Sequence, residues 1–182
     1  KCIGCLKCER VCKDIHTKNG SNDLNKSELF GGWSTDDIQR SNGTSGGVFA
    51  AFAEYIIRNG GVVVGAHFDG RTCKHKVVRT VEEISDLQGS KYTPSSLLGL
   101  YEEIEEELKN GTVLFSGLGC QCAAVLAYFR DSKWKDNLIT VDMICGGVPS
   151  KALIEKYFEA NPKVKRIVSF RTKDKYELIV ET

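Results

Sequence analysis

Four of the chain's eight cysteines lie within its first 13 residues: Cys2, Cys5, Cys8 and Cys12. Three thiolates spaced two residues apart can hold three corners of a cubane cluster, and the start of a helix carries the fourth thiolate away. Zinc usually requires a second cysteine pair ~12–20 residues further on, and none follows. Disulfides suit secreted chains, and nothing marks this chain as secreted. The spacing therefore favours an iron–sulfur cluster over these two alternatives.

The C-x-x-C-x-x-C-x-x-x-C spacing is that of bacterial ferredoxins, although Lys13 stands where a proline usually follows the last cysteine. In ferredoxins with two clusters, the fourth cysteine of such a run ligates the other cluster. Cys12 would then serve a cluster whose other ligands lie before Lys1. Because the motif begins one residue into the chain, we expect the chain to be an internal piece of a longer protein.

Two other cysteines lie within three residues of the ends of predicted strands: Cys120 in SGLGCQC and Cys145 in DMICGGVPS. Ligands of open α/β sheets bind at the carboxyl ends of the strands, and a helix start stabilises a thiolate such as that of Cys120. We therefore expect Cys120 and Cys145 on one edge of the sheet; tight turns with small buried cysteines are the alternative. Cys122 is expected in the core, and Cys73, in a predicted edge strand, is assigned no role.

Two loops have residues suited to an anionic or flat ligand. SNGTSGG, at 41–47, precedes a helix whose free N–H groups favour a phosphate, although an N-cap by Thr44 or Ser45 explains the same residues. In GSKY, at 89–92, Lys91 could meet a phosphate and Tyr92 could stack on a ring. A solvated lysine and a packed tyrosine are equally plausible for these two residues.

The composition and the remaining motifs exclude several classes of protein. Apolar residues make up 41% of the 182 residues and charged residues 27%, which is typical of a globular domain. The net charge of +1 gives no case for a nucleic-acid or membrane surface, and no apolar run approaches the ~20 residues of a membrane span. No Ser-His-Asp, H-E-x-x-H or Walker pattern occurs, and His67 and His75 have no partner pattern.

Helices alternate with strands from residue 41 onward, which predicts an α/β fold with a mixed sheet and flanking helices, preceded by a partial ferredoxin-like cysteine motif. The predicted domains are the partial 4Fe-4S motif at 1–18, a polar linker at 19–40, with one turn packed on the body, and the α/β domain at 41–182, truncated at its C-terminus. The predicted helices cover 48–59, 82–87, 98–111, 120–131 and 151–161. The predicted strands cover 61–68, 73–80, 112–117 and 137–144, with a hairpin over 165–182.

Residues 41–160 resemble the coenzyme F-420 hydrogenase/dehydrogenase beta-subunit family. The matching stretches, in the family's order and spacing, are SNGTSGGVFAAFAEYIIRNGGVVVGAHFD, GSKYTPSS, VLFSGLGCQCAA and VDMICGGVPS. The resemblance implies an iron–sulfur flavoprotein oxidoreductase that passes electrons between 4Fe-4S clusters and FAD, and on to a deazaflavin such as F-420 or to another acceptor. It also implies a cytoplasmic protein with a redox partner, either a ferredoxin or a hydrogenase/dehydrogenase-type subunit, and it is compatible with an oligomer.

The resemblance implies flavin-lining residues in both loops and in the SGLGCQC turn: Thr44, Ser45, Gly46, Gly47, Ser90, Lys91, Tyr92, Gly117, Gly119 and Gln121. It implies that Cys120 and Cys145 ligate a cluster beside the flavin, with the remaining ligands in a downstream C-x-x-C.

The chain departs from the family at three places. The family usually has Thr-Pro where this chain has Leu118-Gly119, a histidine or similar residue at Gly146, and an apolar residue at Cys122. Two other functions remain open: a relay or docking subunit without a substrate site, and a zinc-stapled binding protein without a redox role.

Overall fold

The fold is organised around a five-stranded mixed sheet whose strands lie in the order β3-β2-β1-β4-β5. A computed structural model describes Leu6, Glu9, residues 27–172 and residues 174–182. The strands of this sheet are β1 Val62–Phe68, β2 Cys73–Val78, β3 Ser95–Ser96, β4 Val113–Leu118 and β5 Leu138–Met143. The helices are α1 Asp37–Asn42, α2 Val48–Arg58, α3 Ile84–Leu87, α4 Leu100–Asn110, α5 Gly119–Phe129 and α6 Lys151–Ala160, with a 3-10 turn at Lys135–Asn137.

The strand register brings the carboxyl ends of three strands to one end of this sheet. β1 pairs in parallel with β4, and β4 in parallel with β5 from Val113↔Leu138 to Leu118↔Met143, whereas β2 runs antiparallel to β1. The carboxyl ends of β1, β4 and β5 therefore share one edge, which we call the carboxyl edge.

Helices cover both faces of the sheet, as an α/β fold with parallel strands requires. On one face, α4 and α5 pack on β2 and β4, with Ile104 and Phe115 among the most deeply buried side chains. On the other face, α2 and α3 pack on β1, with Ala53 and Leu114 buried. The predicted fold class, a mixed sheet with flanking helices, is confirmed. The predicted cluster ligands Cys2, Cys5, Cys8 and Cys12 lie outside the described residues.

A smaller antiparallel sheet forms beside the carboxyl edge, from β6 Arg166–Ser169 and β7 Ile179–Glu181. Its core of Ile154, Ile167 and Phe170 packs against Phe68, the last residue of β1. The backbone N–H of Ile167 also donates to the carbonyl oxygen of Gly70 at 2.9 Å. The predicted hairpin is therefore attached to the main sheet next to the candidate site.

Helix α1 begins inside the segment predicted as linker. The Asp36 carboxylate accepts from the backbone N–H groups of Ile38 and Gln39 at 2.8 and 2.9 Å, which makes it an N-cap. None of the six residues of α1 is buried, so no hydrophobic periodicity marked it. Within the described part of the chain, no helix is long and apolar enough to cross a membrane.

Candidate functional site

Cys120 and Cys145 both lie at the carboxyl edge and both are exposed. Leu118 pairs with Met143, and each cysteine comes two residues after its member of this pair. The backbone N–H of Gly147 approaches the Cys145 sulfur at 3.3 Å. Hydrogen bonds of this kind to sulfur set the potential of an iron–sulfur cluster. The two thiols therefore occupy the shared edge expected from the sequence.

Cys122 lies two residues beyond Cys120 on α5, but its side chain points into the core. It is 4% exposed, and its thiol donates weakly to the Val141 carbonyl oxygen at 3.8 Å. Burial raises the pKa of Cys122 to about 11. A buried protonated thiol is a poor metal ligand, so the structure separates an exposed cysteine from a core cysteine on one helix.

Gln121 ties the start of α5 to the short strand β3. Its side-chain oxygen accepts from the Leu118 N–H at 3.0 Å. Its amide nitrogen donates to the Ser95 hydroxyl at 3.0 Å and to the Ser95 carbonyl at 3.3 Å. The predicted site residue Gln121 thus holds the SGLGCQC turn against the segment that follows GSKY.

The SNGTSGG and GSKY loops, which we call the ligand-type loops, meet through one hydroxyl group from each loop. The hydroxyl oxygens of Thr44 and Ser90 lie 3.0 Å apart, although 46 positions separate these residues in the sequence. Ser45 is exposed beside them, and Tyr92 is 41% exposed. Loops 43–47 and 89–92 therefore lie side by side, and the flavin-lining role of their residues stays a prediction.

Lys91 belongs to the second of these loops, but its N–H donors are directed inward. Its ammonium donates to the carbonyl oxygens of Leu87 and Gln88, each at 2.7 Å, and of Gly89 at 3.2 Å. Burial lowers the pKa of Lys91 to about 8. An ammonium has three N–H donors, so in this arrangement Lys91 caps the end of α3 and has no donor left for a phosphate.

Three of the glycines predicted to line the flavin are closely packed by the chain itself. Gly47 has a φ of 76°, and a Cβ there would lie 3.0 Å from the backbone of Arg40. A Cβ at Gly46 would lie 3.2 Å from the Cβ of Trp33, and one at Gly117 would lie 3.0 Å from the Phe115 ring. These glycines therefore need no ligand to explain them.

Gly119 lies beside a charged side chain, because a Cβ at this position would be 3.2 Å from the Asp142 carboxylate. Asp142 is exposed at the end of β5 and lies close enough to raise the pKa of Cys122 further. No sequence motif singled out this carboxylate as a site residue. The sequence signal that could have indicated Asp142 is its place at the end of a predicted strand, one residue before Met143.

His75 lies beneath the site and is buried, with 7% of its surface exposed. Its ring stacks on Phe115, with the centroids 5.2 Å apart, and Nε2 donates to the Ser116 carbonyl at 3.1 Å. Among the described side chains, its Nδ1 is a buried polar atom without a hydrogen-bond partner. Burial lowers the pKa of His75 to about 4, so the ring is neutral near pH 7. Cys73, on the same strand, is buried, and burial raises its pKa to about 11.

Arg171 and Tyr176 also reach this surface, although no sequence motif marked either residue. Arg171 Nη2 donates to the Thr44 carbonyl oxygen at 3.4 Å, and its guanidinium lies 4.8 Å from the centroid of the Tyr176 ring. The ring of Tyr176 lies 6.4 Å from that of Tyr92. Both residues lie in the predicted hairpin. Their contacts are with loops more than 80 positions away, so the local sequence could not predict them.

The site is an open surface. Two depressions of about 410 and 320 Å³ occur elsewhere in the described part, and none of the predicted site residues lines either of them. The described residues contain no group of three or more potential metal ligands. A 4Fe-4S cluster needs four ligands, and this edge offers two exposed thiols, those of Cys120 and Cys145.

Part of the chain matches a known protein family. Residues 29–102 match the family model described as coenzyme F420 hydrogenase/dehydrogenase, beta subunit N-term. This part of the chain belongs to the coenzyme F420 hydrogenase/dehydrogenase beta-subunit family. The matched stretch includes α2, β1, β2 and both ligand-type loops, so the family predicted from the sequence is confirmed there.

The fold is also similar to a chain of the F420-reducing nickel–iron hydrogenase complex from Methanosarcina barkeri, solved in a xenon-derivatised form. The TM-score is 0.63 at 21% sequence identity, over 82% of this chain. This likeness shows the fold. The chain spans 55% of the length of that hydrogenase chain. No curated protein matches the chain.

Proposed function

We propose that this chain is part of an iron–sulfur flavoprotein oxidoreductase subunit, which passes electrons between 4Fe-4S clusters and FAD and on to a deazaflavin or another acceptor. The observation that carries the proposal is the pair of exposed cysteines, Cys120 and Cys145, at the carboxyl edge. The family match of residues 29–102, which include both ligand-type loops, supports it. A redox partner, a ferredoxin or a hydrogenase/dehydrogenase-type subunit, and a cytoplasmic site of action are parts of the same proposal.

A bound flavin would exchange single electrons with clusters and electron pairs with an acceptor, so no side chain needs to act as acid or base. The residues of this chain hold and orient the cofactors. Cys120 and Cys145 would ligate a cluster at the carboxyl edge, and the Gly147 N–H would donate to the Cys145 sulfur. The hydroxyl groups of Thr44 and Ser90 provide polar contacts for the flavin.

Gln121 gives the proposed site its shape. Its three hydrogen bonds keep the turn that bears Cys120 at a fixed position relative to β3 and, through the chain, relative to Tyr92. A fixed distance between a cluster ligand and the flavin loops matters because the protein's contribution to such chemistry is orientation and tuning. The N-terminal run Cys2, Cys5, Cys8 and Cys12 is proposed to hold the cluster at which electrons enter or leave.

The test is a strictly anaerobic purification of the full-length protein, with iron, acid-labile sulfide, zinc and FAD quantified per polypeptide. Iron and sulfide together with stoichiometric FAD are expected. Clusters without flavin would contradict the flavin part of the proposal and indicate a relay subunit. Zinc without iron would contradict the redox function altogether.

A further inference from the structure

The surface beside the proposed flavin site carries an arginine that the described carboxylates do not neutralise. Arg171 follows β6, and its Nη2 and Nε donate to the carbonyl oxygens of Thr44 and Thr172 at 3.4 and 3.2 Å. None of the ion pairs among the described residues includes Arg171. A guanidinium has five N–H donors, and carbonyl groups bring it no negative charge. The positive charge of Arg171 is thus available to an anion.

Two aromatic side chains flank this cation. Tyr176 is 80% exposed and lies under the Arg171 guanidinium, and Tyr92 is 41% exposed and lies 6.4 Å from Tyr176. Phe170, which is buried in the core of the smaller sheet, meets the Tyr92 ring edge-on at 6.0 Å and fixes its position. An exposed ring held by a buried neighbour offers a face on which a flat heterocycle can stack.

Hydroxyl donors complete the surface. The Thr44 carbonyl oxygen accepts from Arg171, and the hydroxyl group of the same residue lies 3.0 Å from that of Ser90. One cation, two adjacent hydroxyl groups and two tyrosine rings therefore converge from three separate segments of the chain. Phosphates favour arginine and hydroxyl donors, and bases favour aromatic faces.

We propose that Arg171, Tyr92 and Tyr176, with the hydroxyl groups of Thr44 and Ser90, form a nucleotide subsite that receives the adenosine diphosphate half of the flavin. The inference rests on the proposed function, because it assigns one half of the proposed cofactor to this surface. The diphosphate lies against Arg171 and the two hydroxyl groups, and the adenine stacks on tyrosine. The subsite joins the smaller sheet, which lies outside the matched residues 29–102, to the two flavin loops.

The test measures ADP and riboflavin binding separately, by titration calorimetry on the full-length protein after its flavin has been removed. ADP carries the proposed subsite's ligand without the isoalloxazine ring, and riboflavin carries the ring without phosphate. Arg171→Gln is expected to weaken ADP binding about ten-fold or more, because it removes a charge-assisted contact, and to leave riboflavin binding within about two-fold. Tyr176→Ala is expected to weaken ADP binding as well.

Arg166→Gln is the matched control, since Arg166 is an exposed arginine of the same small sheet that pairs with Glu181 at 2.6 Å. It is expected to bind ADP like the wild type. If Arg171→Gln fails to fold, exposed Tyr176 supplies the decisive variant. Equal loss of ADP and riboflavin binding in Arg171→Gln would indicate a general structural role and overturn the subsite.

Three further results would also overturn the subsite. The first is wild-type ADP affinity in both Arg171→Gln and Tyr176→Ala. The second is FAD binding without ADP binding, which leaves the proposed function intact. The third is Arg171-dependent ADP binding to protein that already holds FAD, because it would indicate a separate site for a free nucleotide. A protein that binds neither FAD nor riboflavin contradicts the proposed function as well.

Discussion

Buried His75 makes the stability of the fold depend on pH in a defined window. Its pKa is lowered from 6.5 to about 4, chiefly by burial, so the folded state resists protonation that the unfolded chain accepts. Between these two values the unfolded state binds more protons, and the free energy of unfolding therefore falls as the pH falls. The contribution of neutral His75 to the free energy of unfolding is fully present above about pH 6.5 and is fully lost below about pH 4.

The size of the loss follows from the two pKa values. Lowering the pH from about 7 to about 5 protonates His75 almost completely in the unfolded state and only slightly in the folded state. The expected decrease in the free energy of unfolding is about 2 kcal/mol. Other shifted groups change little in this interval: the pKa of Asp69 is lowered to about 2, and Lys91, with a pKa of about 8, stays charged in both states.

The assay is urea unfolding of the protein at about pH 7 and about pH 5, for the wild type, His75→Gln and His67→Gln. Glutamine keeps a donor for the Ser116 carbonyl but does not titrate, so His75→Gln should lose most of the pH dependence. His67, a partly exposed histidine on β1 whose Nδ1 lies 3.2 Å from the Asp86 carbonyl oxygen, is the control and should leave the wild-type loss intact. The reasoning is refuted if wild type and His75→Gln lose the same free energy between the two pH values.

Two further predictions concern the turn that bears Cys120 and the packing of β1. Gln121→Leu removes the hydrogen bonds to Leu118 and Ser95 and should lower the free energy of unfolding by about 2 kcal/mol, with faster amide exchange in the 89–96 segment; unchanged exchange would contradict the tether. Gly61→Ala should destabilise by about 1–3 kcal/mol in urea unfolding, because its Cβ would lie 2.6 Å from a backbone oxygen. Gly146→Ala, where a Cβ meets nothing within 4 Å, should be neutral, and equal effects of the two substitutions would refute the packing argument.

The sequence predicted the main sheet well because its strands and helices carry strong hydrophobic patterns. The β4 strand, VLFSGL, is almost fully buried, and α2 and α4 bury residues at helical spacing. The parallel pairing of β4 and β5 then places Cys120 and Cys145 on one edge, as expected from the rule that parallel strands end together. The predicted core position of Cys122 agrees with its burial.

Features that depend on polar or long-range contacts could not be predicted in the same way. Helix α1 is held by a side-chain cap and buries none of its residues, so it has no hydrophobic period. The ammonium of Lys91 is turned inward by three carbonyl groups, which a motif cannot reveal. Arg171 and Thr44 are 127 positions apart, and only the folded chain brings them together. The division into domains and the ligand roles of the site residues stay predictions.

The most direct test of the central claim is the iron content of single cysteine variants of the full-length protein, purified anaerobically beside the wild type. Cys120→Ala and Cys145→Ala should each lose iron corresponding to about one 4Fe-4S cluster and should no longer pass electrons from reduced ferredoxin to the flavin. Cys122→Ala is the matched control, because this cysteine lies on the same helix but is 4% exposed, and it should keep wild-type iron and electron transfer. Wild-type iron content in both Cys120→Ala and Cys145→Ala would contradict a cluster at the carboxyl edge.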